Sequence, residues 1–66
     1  MAPSRIPTLV YEGDYGTALV ITSLLQGEGI AVSVDGASPI RPSGARLYVA
    51  REDAAEARRL IESRQL

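Results

Sequence analysis

Apolar residues between positions 14 and 27 recur at the spacing of an amphipathic helix. One face of the helical wheel collects four of them: Ala18, Ile21, Leu24 and Leu25. Asp14 is the predicted N-cap, because its carboxylate can accept the free amide hydrogens of the first turn. Gly27 and Gly29 follow the apolar stripe, and one of them is expected in the left-handed conformation that ends a helix. The pattern therefore predicts a helix from Asp14 to about Gln26.

Two later segments alternate with a period of two, which is typical of half-buried strands. Residues 30–35 place Ile30, Val32 and Val34 on one predicted inner face. Residues 45–50 point Leu47 and Val49 inward and Arg46 and Tyr48 outward. A first strand is predicted at 6–11 from the β-prone run Leu9-Val10-Tyr11, preceded by Pro7, which suits an edge strand or a strand start.

The remaining chain supplies a loop and a second helix. Residues 36–44 are rich in Pro, Gly and Ser and predict a loop, with Ile40 expected to cover the sheet edge. Residues 52–64 predict a helix whose inner face is formed by Ala54, Ala57, Leu60 and Ile61. Acidic residues begin this segment and Arg residues end it, which complements the helix dipole.

The predicted order is strand-helix-strand-strand-helix in one α+β domain, residues 1–66, with 1–5 flexible. Of the two arrangements that fit, one is a truncated ferredoxin-like β-α-β-β-α fold. Its three-stranded sheet has the order 1-3-2, and both helices cover one face. The other face then carries Ala31, Ser33, Arg46 and Tyr48. Because the fourth strand of a full ferredoxin-like fold is missing, strand one is predicted to be an exposed edge that can pair with another chain.

Composition excludes several kinds of chemistry. The 66 residues include neither Cys nor His. Disulfides, thiolate metal sites and the commonest general base are therefore absent. The candidate acids fall at helix ends and turns, so we expect no catalytic residues, no metal and no cofactor. The protein is predicted not to be an enzyme.

Charge and hydropathy restrict the partners. The formal net charge is -1, which gives no electrostatic basis for binding nucleic acid or an anionic membrane. The longest apolar run, Ala18–Ile21, is far too short to span a bilayer, and no hydrophobic signal core follows Met1–Arg5. We therefore predict a cytoplasmic protein that binds neither nucleic acid nor membranes.

Two stretches resemble a known family. Residues 18–30, ALVITSLLQGEGI, are similar to the pattern A-x-x-L-x-x-L-L-x-x-x-G-I, and residues 45–61 to L-x-V-x-x-x-D-x-x-x-A-x-x-L-I. These patterns belong to a bacterial signal-transducing protein family, a domain of unknown function likened to the nitrogen regulatory PII proteins. The resemblance implies a bacterial signalling domain. The long nucleotide-binding loop of PII proteins has no counterpart in 36–44, so no nucleotide or 2-oxoglutarate site is carried over.

Five residues are candidates for interaction. Tyr15 and Leu19 are four apart on the outer face of the first helix, either as an apolar patch for a partner or as isolated surface residues. Arg46 and Tyr48 share the predicted open sheet face, where an RNA-binding role and an ordinary solvated face are the alternatives. Arg41 lies in the loop, where it either joins Arg46 around an anion or is simply solvated.

The function predicted from these features is a non-catalytic protein–protein interaction or signal-transduction module that forms a homodimer. Its working surface is expected to be either the edge at 8–11 or the open sheet face. The alternative is a small-ligand sensor of the kind found in regulatory ferredoxin-like domains. Its site would lie at the helix–strand turn Gly27 to Ile30.

Overall fold

The strands and helices follow one another in the predicted order in a computed structural model, which describes residues 7–36, 38 and 40–64. These residues form β1 (Pro7–Gly13), α1 (Tyr15–Gly27), β2 (Ser33–Asp35), β3 (Ala45–Ala50), a 3₁₀ turn (Arg51–Asp53) and α2 (Ala54–Ser63). The predicted flexible segment 1–5 lies outside the described residues.

β3 occupies the middle of the sheet. The strand order is β1-β3-β2, and β3 is antiparallel to both neighbours, which makes β1 and β2 parallel to each other. A parallel pair needs a long crossover, and α1 supplies it. The predicted α+β fold is confirmed: the structure is a truncated ferredoxin-like fold.

One apolar core joins both helices to a single face of the sheet. Ile30 and three buried residues from each of β3, α1 and α2 form this core. β3 contributes Ala45, Leu47 and Val49, α1 contributes Ala18, Ile21 and Leu25, and α2 contributes Ala54, Ala57 and Ile61. Along β3 the side chains alternate, so its three buried residues face the helices and its other three side chains lie on the opposite face. Both helices therefore cover one face, as predicted.

Specific hydrogen bonds set the two ends of α1. The Asp14 carboxylate accepts from the backbone N–H of Thr17 at 3.0 Å, which confirms the predicted N-cap. At the other end Gly29 has φ +83°, and its N–H donates to the Gln26 carbonyl at 3.0 Å. The Ile30 N–H donates to the Leu25 carbonyl at 3.0 Å. This pair of bonds is a Schellman motif, which needs a residue with positive φ.

A β-bulge changes which side chains of β1 share a face. Leu9 is opposite Tyr48 and Tyr11 is opposite Leu47, so Val10 is the extra residue. Val10 and Tyr11 both pack against the core. Leu9, as the cross-strand partner of Tyr48, is directed to the opposite face.

Four details of the sequence prediction are wrong. β2 begins at Ser33 rather than Ile30, because the Ile30 N–H is already bonded to the end of α1. Val34 lies on the helix side of the sheet but is 41% exposed, since β2 is an edge strand. Ile40 does not cover the sheet edge and is 90% exposed. A 3₁₀ turn at Arg51–Asp53 also replaces the predicted first turn of the second helix.

Candidate interaction site

The sheet face turned away from the helices carries polar and apolar side chains at separate ends. We call it the open face; β1 contributes Pro7, Leu9 and Glu12, β3 contributes Arg46, Tyr48 and Ala50, and β2 contributes Ser33 and Asp35. These positions are exposed or half-buried. Two of the predicted site residues, Arg46 and Tyr48, therefore lie on one surface, as the strand alternation predicts.

A charged row crosses one end of the open face. Arg46 lies between its cross-strand partners Glu12 and Asp35. Its Nε donates to Glu12 Oε2 at 3.4 Å, and its Nη1 is 4.0 Å from Asp35 Oδ2. The hydrogen bond to Glu12, with a further contribution from Tyr48, raises the pKa of Arg46 above its ordinary value. The guanidinium of Arg46 therefore forms ion pairs with the carboxylates of both Glu12 and Asp35.

A shallow apolar groove occupies the other end of the open face. The groove has a volume of about 250 Å³ and is lined by Pro7, Ala31, Ser33, Tyr48, Val49 and Ala50. The half-buried ring of Tyr48 lies between Leu9 on β1 and Ser33 on β2, its cross-strand partners. The groove is a surface for apolar side chains rather than an enclosed cavity.

The two edges of the sheet offer less to a pairing strand. Pro7 begins β1 without an N–H to donate, and the bulge at Val10 interrupts the regular spacing. Arg58 on α2 donates from Nη2 to the Leu9 carbonyl at 2.9 Å and covers part of the β1 edge. β2, the other edge strand, is three residues long. Proline, bulges, charged side chains and short strands all hinder edge pairing.

Tyr15 and Leu19 lie on α1, on the other side of the sheet from the open face. Leu19 is 44% exposed, whereas Tyr15 is half-buried. The backbone N–H of Tyr15 donates to the Pro42 carbonyl at 2.7 Å and ties the start of α1 to the loop. The predicted patch is thus available mainly through Leu19, and its role as an interface stays a prediction.

Arg41 lies in the loop, in a separate environment from Arg46. Arg41 closes a turn with Ser38 through two backbone hydrogen bonds. The Arg41 N–H donates to the Ser38 carbonyl at 3.1 Å, and the Ser38 N–H donates to the Arg41 carbonyl at 3.2 Å. Its surroundings are polar and include Gly36 and Ser43. Arg46 is paired with Glu12 and Asp35 and does not line this polar pocket, so the joint anion site of Arg41 and Arg46 stays a prediction.

The helix–strand turn proposed for a small-ligand sensor has its amides occupied. The N–H groups of Glu28 and Ile30 both donate to the Leu25 carbonyl at 3.0 Å, and that of Gly29 donates to Gln26. An amino-acid carboxylate bound there would have to displace these helix-ending bonds. The turn therefore offers no free row of donors.

Sequence reasoning did not find Glu12, Pro7 or Leu9 as members of the open face. The predicted first strand ends at residue 11, so Glu12 falls outside it. A simple period of two would place Leu9 and Tyr11 on one face and Glu12 on the other, and the bulge at Val10 reverses this. The available signal was the consecutive apolar pair Val10-Tyr11 followed by a charged residue, which is compatible with a bulge.

Neither clusters of metal-ligating side chains nor comparisons with known proteins assign a function to this site. Within 7–36, 38 and 40–64, no group of three or more acidic, His or Cys side chains is arranged to hold a metal ion. Neither helix of this part of the chain has the length and apolarity needed to cross a membrane. No family model, curated protein or solved structure matches the chain, so the resemblance to the signal-transducing family stays a prediction.

Proposed function

We propose that this chain is a non-catalytic interaction or signal-transduction module of the cytoplasm that binds a protein partner through the open face. The observation that carries the proposal is a sheet with helices on one face and an exposed groove around Tyr48 on the other. A sheet face bearing apolar side chains is normally covered by a second layer. A partner protein supplies that layer here.

The charges of the open face favour a protein partner over nucleic acid. Glu12 and Asp35 outnumber Arg46, which is engaged with both. Phosphate backbones are bound by unengaged Lys and Arg residues, and single-stranded bases by several aromatic rings. Tyr48 supplies a single ring on this face.

Features that hinder strand pairing at the two sheet edges favour the open face as the surface that binds a partner. A strand that added to β1 would have to displace the Arg58–Leu9 hydrogen bond and accommodate the bulge. The open face needs no such rearrangement. The homodimer expected from the sequence stays a prediction, and edge pairing would require these rearrangements.

Two features support a non-catalytic role. The chain has no His or Cys, so a general base or nucleophile would have to come from weaker candidates. The carboxylates of the open face, Glu12 and Asp35, are paired with Arg46 on a solvated surface, where water is not excluded. The sensor alternative has no comparable support, because the amides of its turn are occupied.

Site-specific photo-cross-linking in the native cell tests this function. A photoreactive benzoylphenylalanine replaces Tyr48 in one variant and Arg59, an exposed residue of α2, in a control variant. We expect a discrete protein adduct from position 48, reduced by excess unmodified protein, and none of the same mass from position 59. Adducts confined to position 59, or an adduct at 48 that excess protein does not reduce, would contradict the proposal.

A further inference from the structure

We infer that the partner element is an amphipathic α-helix of about a dozen residues, with an apolar stripe and a Lys or Arg near one end. This inference rests on the proposed function of the open face and names the chemistry of its partner. It follows from the hydrogen-bonding needs of the partner backbone, the dimensions of the face, and the distribution of charge along β3.

The backbone of the partner element decides between a strand and a helix. An extended segment obtains its hydrogen bonds by adding to a sheet edge. Here the β1 edge carries Pro7, the Val10 bulge and the Arg58 side chain, and β2 is three residues long. An extended segment on the open face would leave backbone groups facing side chains. A helix satisfies its backbone internally and needs only side-chain contacts.

The dimensions of the open face match one helix. β3 has six residues and extends about 20 Å, while three adjacent strands span about 14 Å. A helix is about 10 Å wide and rises 1.5 Å per residue, so about 13 residues cover the length of β3. The face measures about 20 Å by 14 Å at most, because β2 is only three residues long, so it has room for one such helix and little more. A transient complex with a short element is therefore expected, rather than a stable dimer through this face.

The charge pattern requires a basic residue on the partner. Arg46 neutralises only one of its two carboxylate neighbours, and the side chains of Glu12 and Asp35 remain 55% and 69% exposed. This end of the face keeps a net negative charge, while the groove around Tyr48 is apolar. A cation beside an apolar stripe complements both ends. A second copy would present the same negative end, so self-association through this face is disfavoured.

Three synthetic peptides of about 14 residues test the inference against wild-type protein labelled with ¹⁵N. The first is a stapled helix with a Leu stripe and two Lys residues at one end. The second replaces the Lys residues with Glu. The third keeps the Lys residues but contains two Pro residues that prevent helix formation. Binding is followed by amide shift changes and by isothermal titration.

We expect the basic helix to shift the amides of Tyr48, Ser33 and Glu12, and to bind at least about fivefold more tightly than either other peptide at low salt. The double variant Glu12→Gln/Asp35→Asn should lose the preference for Lys, whereas Glu62→Gln on α2 should keep it. Equal binding of the acidic or proline peptide, or shifts confined to the helices, would overturn the inference. If cross-linking at Tyr48 succeeds while no peptide binds, the helix inference fails and the proposed function stands.

Discussion

At the scale of single residues, cross-strand neighbours determine what Arg46 can do. Seen in the sequence, Arg46 and Tyr48 form a basic–aromatic pair that suggests anion or RNA binding. In the structure Glu12 and Asp35 flank the guanidinium from the two neighbouring strands. Such surface ion pairs add little to stability. With two carboxylates beside one guanidinium, the surface around Arg46 is mildly acidic rather than basic.

Gly29 offers a prediction at the same scale, because a matched control lies two residues before it. Gly29 has φ +83°, where a β-carbon is strained, so Gly29→Ala should lower the free energy of unfolding by about 1–2 kcal/mol. Gly27 is helical with open space around it, so Gly27→Ala should raise it by about 0.5 kcal/mol. Urea unfolding followed by circular dichroism measures both. Similar losses in the two variants would show that Gly29 is not held in this conformation by the Schellman motif.

At the scale of elements, β1 combines a bulge with a covered edge. The bulge at Val10 directs two consecutive side chains to the core and turns Leu9 and Glu12 to the open face. The Arg58 side chain reaches across from α2 to the Leu9 carbonyl. In the described residues the first strand lies at an edge of the sheet, and these features reduce its tendency to pair.

Removal of the Arg58 contact should increase self-association. Arg58→Ser frees the Leu9 carbonyl, whereas Arg59→Ser removes a neighbouring exposed Arg of the same charge and serves as the control. Light scattering over a concentration series should show a higher solution mass for Arg58→Ser at the highest concentrations. Identical masses for the two variants would mean that Pro7 and the bulge protect the edge without Arg58.

At the scale of the whole molecule, one small core carries both helices. A domain of this size supplies only a few kcal/mol of net stability. Ile21 is fully buried on the inner face of α1, so Ile21→Val should lower the free energy of unfolding by about 0.5–1.5 kcal/mol. Val20→Ala, an exposed neighbour on the same helix, should change it by no more than about 0.5 kcal/mol. Thermal melts should therefore give a melting temperature for Ile21→Val that is lower than that for Val20→Ala by up to several degrees, and a lower melting temperature for Val20→Ala would argue against this core.

The cap of α1 and the inward residues of β3 and α2 were predictable from the sequence, because each depends on local periodicity or on a single capping residue, and the strand order followed from the connection rules. The inner face of α1 was predicted less well, because Leu24 is only half-buried and lies outside the core cluster. Two other features were not predictable: the start of β2, which a local bond at the end of α1 sets, and the charged row, which depends on pairing between distant segments. The start of β2 was lost because Ile30 serves the end of α1 instead of the sheet. The charged row needed the register of both Glu12 and Asp35 against Arg46, and the bulge in β1 sets the register of Glu12.

Solvent paramagnetic relaxation tests most directly whether the open face is free to receive a partner. A soluble gadolinium chelate is added to labelled protein at low and high concentration, and the side-chain signals of Tyr48 and Leu9 are compared with those of Leu47. Leu47 lies on the opposite face of β3 and is fully buried. We predict strong broadening of Tyr48 and Leu9 at both concentrations, with Leu47 unaffected. Protection of Tyr48 and Leu9 to the level of Leu47 would show that the open face is already covered, which contradicts the proposed binding surface.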